Sequence, residues 1–119
     1  MAGAPDKARL WIKIDLGEGR QIGPGKIALL KAIGEQRSIA GAARSLAMSY
    51  RRAWLLVDEM NRDFSAPVVE TKVGGKGRGG ARPTALGEAL VEAFEEITGA
   101  AAQGAGPALS RLMKRAAKG

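Results

Sequence analysis

Residues 38 to 64, SIAGAARSLAMSYRRAWLLVDEMNRDF, constrain this chain more than any other segment. Ser38 has the chemistry of an N-cap, because its hydroxyl can accept a free backbone N–H of the turn that follows. Ile39, Ala42, Ala43 and Leu46 then recur at helical spacing. Ala47 and Met48 fall in a turn, and Ser49 can cap a further helix. Ala53, Leu56, Val57, Met60 and Phe64 form the apolar stripe of that helix. Tyr50, Arg51, Arg52, Leu55, Glu59 and Arg62 lie to the outside, and Trp54 can pack beside Tyr50 one turn away. For Trp54 plain core packing is the simpler reading. The run Ala40-Gly41-Ala42-Ala43 supplies the small side chains that two steeply crossing helices need where their backbones approach. Two short helices over a tight turn, the second opening on Ser-Tyr-Arg-Arg, predict a helix-turn-helix, whose second helix enters the major groove of DNA.

The flanking segments extend this unit. Leu10 to Leu16 alternate from Ile12 on, as a half-buried strand does, and Gly17, Gly19, Gly23 and Gly25 mark turns. Pro24 suits the start of a first helix, with Ile27, Leu30 and Ile33 on one face up to about Gln36. Pro67 ends the helical run of the central segment, and Val68 to Val73 favour a strand. The loop Gly74 to Gly80 follows, and Ala81, Arg82 and Pro83 return as the second arm of a basic, glycine-rich hairpin. Thr84 is a candidate N-cap, and Leu86, Leu90, Phe94 and Ile97 make the apolar face of the next helix. Gly104, Gly106 and Pro107 are expected to interrupt that helix, leaving a short final one around Leu109, Leu112 and Met113. The expected order is strand, three helices, hairpin, helix. The fold class is mainly α with a small β-hairpin, a winged helix-turn-helix over residues 1–98 and a C-terminal helical tail over 99–119.

Composition narrows the chemistry. The 119 residues suffice for one small domain, and 19 basic against 12 acidic side chains leave a formal charge of +7. A basic domain of this kind carries the electrostatic footprint of a nucleic-acid binder, although many basic small domains bind none. Neither cysteine nor histidine occurs. That removes disulfides, thiolate chemistry and the commonest metal ligand and general base. Glu95–Glu96 and Asp58–Glu59 are adjacent pairs that point in different directions on a helix, so they read as solvated faces and not as an acid–base pair. No enzyme, cofactor or metal site is expected. No apolar run approaches the roughly 18 residues of a membrane span, and the first residues lack the apolar region of a signal peptide. The expected location is the cytoplasm, with no membrane partner.

Candidate DNA-binding residues follow from position. Arg51 and Arg52 can donate to guanine O6 and N7 or to phosphate. Tyr50 can donate its hydroxyl to phosphate or press its ring on a thymine methyl. Ser38 and Ser49 cap their helices and can also reach phosphate, capping being the safer half of that reading. Lys72, Lys76, Arg78 and Arg82 of the wing can neutralise phosphates and release counterions, against the plainer reading of a solvated hairpin tip. Gly75-Lys76-Gly77-Arg78-Gly79-Gly80 fits G-x-G-x-x-G, but Ala81-Arg82-Pro83 separates the glycines from the helix and no strand follows it, so nucleotide binding is a weak rival.

With these residues in hand, the segment from about Gly23 to Ile97 resembles the N-terminal DNA-binding domain of the ModE family of molybdate-responsive transcriptional regulators. SIAGAARSLAMSYRRAWLLVDEMN and VETKVGGKGRGGARPTALGEAL carry the likeness. The first is looser kin to the LysR-type helix-turn-helix, through Ala42-Ala43. The resemblance implies a winged helix and a homodimer on an inverted-repeat operator. It assigns base and phosphate contacts to Ser49, Tyr50, Arg51 and Arg52, and wing contacts to Lys76, Arg78 and Arg82. It also implies a dimer interface built from the N-terminal strand and the last helices. Full-length members carry C-terminal molybdate-binding domains, for which 119 residues leave no room. The expectation is therefore a stand-alone member that does not itself bind molybdate. Its function would be sequence-specific transcriptional regulation on double-stranded DNA, with a link to molybdate transport or metabolism. The alternatives are a winged-helix protein-interaction module and a nonspecific DNA binder.

Overall fold

In the computed structural model, which describes residues 8–73 and 79–117, one helix forms the centre of the core. Helix α1 (Pro24–Gln36) packs against every other helix and against the wing. It buries Ile27, Leu30 and Ile33, the face expected from the spacing, and also Leu29 and Ala32. Being covered on several sides, it cannot show a single apolar stripe. Pro24 occupies its first turn as expected, since proline's missing N–H has no intrahelical partner there.

Helix α2 (Ile39–Ser45) and helix α3 (Tyr50–Asp63) follow. Ile39, Ala42 and Ala43 are buried, and Leu46 packs partly against the core. On α3, Ala53, Leu56, Val57 and Met60 are buried and Phe64 is partly so. At roughly 1.5–3 kcal/mol for each large aliphatic side chain fully buried, this stripe fixes α3 firmly on α1 and α2. The turn between α2 and α3 is a Schellman motif. Met48 N–H donates to Ala43 carbonyl at 2.9 Å and Ala47 N–H to Arg44 carbonyl at 3.1 Å. The motif needs a left-handed residue, and Ala47 fills that place at φ 54°, where glycine is usual.

Two separate two-stranded antiparallel sheets flank the helices. The N-terminal region holds a hairpin where the sequence predicts a single strand. Strand β1 (Ile14–Gly17) pairs with β2 (Arg20–Ile22), with Ile14 opposite Ile22 and a bulge between Asp15 and Gly17. Gly17 and Gly19 adopt positive φ in the tight connection. Strand β3 (Val69–Val73) pairs with β4 (Gly79–Pro83), Val69 opposite Pro83 and Glu70 opposite Arg82. Val69 and Ala81 face the core, leaving Glu70, Lys72 and Arg82 on the solvent side.

Helix α4 runs without interruption from Ala85 to Arg115, 31 residues. The break expected at Gly104, Gly106 and Pro107, and the separate final helix, are therefore corrected. Pro107 removes one backbone donor, but Gln103, whose carbonyl loses that partner, is solvent-exposed and can be hydrated. Ala100 to Ala102, Ala105 and Ala108 around it are the strongest helix formers. The helix passes residues 98 and 99 unbroken, so the expected tail is its outer half. Its inner half is anchored by buried Gly87 and Phe94, with Leu86 and Leu90 partly covered. Ile97, expected on the inner face, is 47% exposed, and it is Thr98 beside it that lines the groove with Phe94 and α1. Lys31 of α1 meets Glu95 of α4 at 2.7 Å, and this hydrogen bond, with the charge of the carboxylate, raises the Lys31 pKa above its ordinary value.

Candidate nucleic-acid interface

Each expected cap is in place. Ser38 Oγ accepts Gly41 N–H at 2.8 Å and opens α2. A side chain at Gly41 would sit 2.8 Å from that same oxygen, so the glycine protects the cap rather than the α2–α3 crossing. Ser49 Oγ accepts Arg52 N–H at 3.0 Å and opens α3. The first turn of α3 holds no acidic residue. Tyr50, Arg51 and Arg52 are all exposed there, with Tyr50 at 56%. The Tyr50 ring meets Trp54 edge-on, centroids 6.3 Å apart, and Trp54 packs partly against the core. This contact braces Tyr50 while leaving more than half of the residue exposed.

Ser38, Tyr50 and Lys72 line one groove between α3 and the wing, with Trp54 and Thr71. Ser38, Tyr50 and Lys72, which belong to three different segments of the sequence, are thus brought together. Arg52 leaves α3 on its other flank, lining a groove with Trp11, Lys13, Gln21 and Glu59. Arg82 lies on the outer side of the wing, and its Nε donates to Glu70 Oε2 at 2.6 Å. Its charge is compensated locally, unlike that of Lys72, which has no carboxylate partner among the described residues. Lys76, Arg78 and the G-x-G-x-x-G run from Gly75 lie wholly or largely outside the described residues.

Several positioning residues give little signal in the sequence. Asn61, on α3, uses Oδ1 to accept the N–H groups of Val68 at 2.8 Å and Val69 at 3.1 Å. Its Nδ2 donates to the Val69 carbonyl at 3.3 Å. One side chain thereby ties the root of the wing to the helix it accompanies. Arg37 ends α1 at φ 63°, and its carbonyl accepts Ala81 N–H of β4 at 3.1 Å. Thr84 Oγ1 accepts Gly87 N–H at 3.1 Å and donates to Pro67 carbonyl at 2.7 Å, joining α4 to the same root. Lys26 of α1 pairs with Glu59 of α3 at 3.3 Å, the lysine side chain being only 14% exposed. Glu59, outward by its sequence position, is thus engaged between two helices.

No family model matches the chain. Individual proteins do. ModE of Yersinia pestis, a transcriptional regulator, is 35% identical over 89 residues, which is 75% of this chain and 34% of that protein. ModE of Escherichia coli strain K12, a DNA-binding transcriptional dual regulator, is 34% identical over the same length. This chain is a relative of the ModE regulators. MopB of Rhodobacter capsulatus, described as a molybdenum-pterin-binding protein, is 46% identical over 79 residues, 66% of this chain and 29% of that protein. The chain thus spans about a third of the length of these ModE relatives. These names describe regulators and a binding protein, not enzymes.

Solved structures agree on the architecture. The DNA-binding domain of CbnR, in a complex with DNA, superposes with a TM-score of 0.55 at 22% identity, covering 76% of this chain and 97% of that one. The full-length LysR-type regulator LysG from Corynebacterium glutamicum matches with a TM-score of 0.54, also at 22% identity, covering 76% of this chain and 29% of that one. The fold is the winged helix-turn-helix of such domains. Among the described residues no helix is long and apolar enough to cross a membrane.

Proposed function

We propose that the chain binds duplex DNA in a sequence-specific manner and serves as a transcriptional regulator connected with molybdate transport or metabolism. One observation carries the reading. The first turn of α3 presents Tyr50, Arg51 and Arg52 to solvent with no acidic neighbour in that turn, while the rest of the helix is locked down by its buried stripe. A rigid helix with a basic, exposed start is what major-groove recognition requires. Lys72 extends the positive surface onto the wing, and Lys76 and Arg78 are assigned there by resemblance. The ModE relatives support the regulatory role, and the likeness to the molybdenum-pterin-binding protein MopB supports the molybdate connection. The same resemblance supports a homodimer that places two recognition helices about 34–36 Å apart on an inverted repeat.

Fluorescence anisotropy tests this reading. The full chain is titrated against the duplex upstream of its own gene and against a scrambled duplex, across a salt series. Tighter binding to the native duplex, with a steep salt slope, is expected. Equal binding to both duplexes would identify a nonspecific binder. Failure to bind either at low salt would overturn the proposal and favour a protein-interaction module.

A further inference from the structure

We propose that the segment around Trp11 and Lys13 is a second DNA-contacting flank, gripping the phosphate backbone on the side of α3 opposite the wing. The inference rests on the DNA-binding reading above and extends it to residues outside the helix-turn-helix and the wing.

The geometry is two-sided. The groove on one flank of α3 is lined by Tyr50 and Trp54 together with Thr71 and Lys72 of the wing. The groove on the other flank is lined by Arg52 and Leu56 together with Trp11, Lys13 and Gln21. An α-helix with its side chains is about 10–12 Å across, and the major groove is about 12 Å wide. A recognition helix therefore fills the groove, and whatever stands beside it on either flank meets one of the two backbones.

The charge of the second flank suits that role. Among the described residues Glu59 is the only carboxylate lining its groove, and Lys26 neutralises it at 3.3 Å. Lys13 and Arg52 have no carboxylate partner among the described residues. The groove is therefore net positive. Lys13 directly precedes the β1–β2 hairpin, and its stem runs along the backbone at Gly23, 3.5 Å from where a side chain there would begin. Trp11 is 78% exposed, the most exposed of the large apolar side chains described. An indole so placed can donate its N–H to a phosphate and lay its ring on a sugar.

The test compares Lys13→Gln and Trp11→Ala with the unaltered chain by anisotropy, on the upstream and scrambled duplexes, over a salt series. Unfolding midpoints and sedimentation accompany each variant. Lys13→Gln is expected to weaken both duplexes alike, roughly three- to tenfold, and to reduce the logarithmic salt slope by about 0.9, the signature of one lost phosphate contact. Trp11→Ala is expected to weaken both with no change in oligomeric state. If the unaltered chain binds and both variants keep its affinity and slope, the flank is wrong and the DNA-binding reading stands. If Trp11→Ala changes the oligomeric state and leaves the slope intact, Trp11 belongs to an interface between copies, and the proposal is overturned. If the unaltered chain binds neither duplex, the underlying reading fails first.

Discussion

Asn61 Oδ1 accepts the backbone N–H of Val68 at 2.8 Å, and through it α3 holds the wing. The two residues are seven apart, yet one lies on α3 and the other directly precedes β3, and the relative position of those two elements decides what both can touch. Removing this side chain strands two partly buried donors. A buried donor left unsatisfied costs about 1–3 kcal/mol, so Asn61→Ala should lower stability by that order in urea unfolding. Hydrogen exchange should rise first at Val68 and Val69. Asn61→Asp keeps the acceptor but loses the donor to the Val69 carbonyl, and should fall between the two.

The glycines of α4 should respond in opposite directions. A side chain at Gly87 would collide with the Val68 carbonyl, a backbone atom that cannot swing aside. Gly87→Ala is therefore expected to be severely destabilising. Gly99→Ala and Gly104→Ala meet nothing within 4 Å. In a helix interior alanine is favoured over glycine by about 0.5–1 kcal/mol, so both should raise helicity by circular dichroism.

Ala47 is a second site open to improvement. It holds the left-handed position of the turn at φ 54° and is exposed. For a residue with a Cβ that conformation costs roughly 1–2 kcal/mol, partly offset by the greater freedom glycine has when unfolded. Ala47→Gly should stabilise by up to about 1 kcal/mol in thermal or urea unfolding, and Ala47→Val should destabilise.

DNA affinity should sort the cations by role. Arg51→Ala and Arg52→Ala should each weaken specific binding by about 1–3 kcal/mol where the guanidinium is bidentate to guanine. Lys72→Ala should weaken all sequences alike and reduce the salt slope by about one. Arg82→Ala should do less, because Glu70 already holds its charge at 2.6 Å. Glu70→Gln should tighten binding by freeing that arginine. If it leaves both affinity and slope unchanged in anisotropy titrations, Arg82 lies off the DNA.

What could be read from the sequence was local or periodic. Ser38, Ser49 and Thr84 cap the backbone within three residues of themselves, so each cap is written in a short window. The stripe of α3 repeats with the helix, because one side of α3 packs and the other does not. Leu29 escaped because α1 is enclosed on several sides and has no single stripe. Strand β2, Arg20–Ile22, is too short to show alternation. Pro107 misled because its penalty is set by one carbonyl, and whether water can reach that carbonyl is a property of the fold. Asn61 on α3 reads as a solvated polar residue until the wing is placed beside it. The separation of Tyr50 from Arg52 onto opposite flanks depends likewise on what lies beside α3.

Gly87 pressed against the Val68 carbonyl also makes α4 a lever. A helix of 31 residues, at about 1.5 Å per residue, is about 46 Å long, so a tilt of about 10° at its base sweeps the far end through about 8 Å. The fulcrum sits at the root of the wing, where Thr84 bonds Pro67 and Val68 on the same side. With no side chain between them, α4 meets the residue just before β3 backbone to backbone. Whatever holds the distal turns of α4 in place therefore bears on the root of the wing, the same root that Asn61 ties to α3.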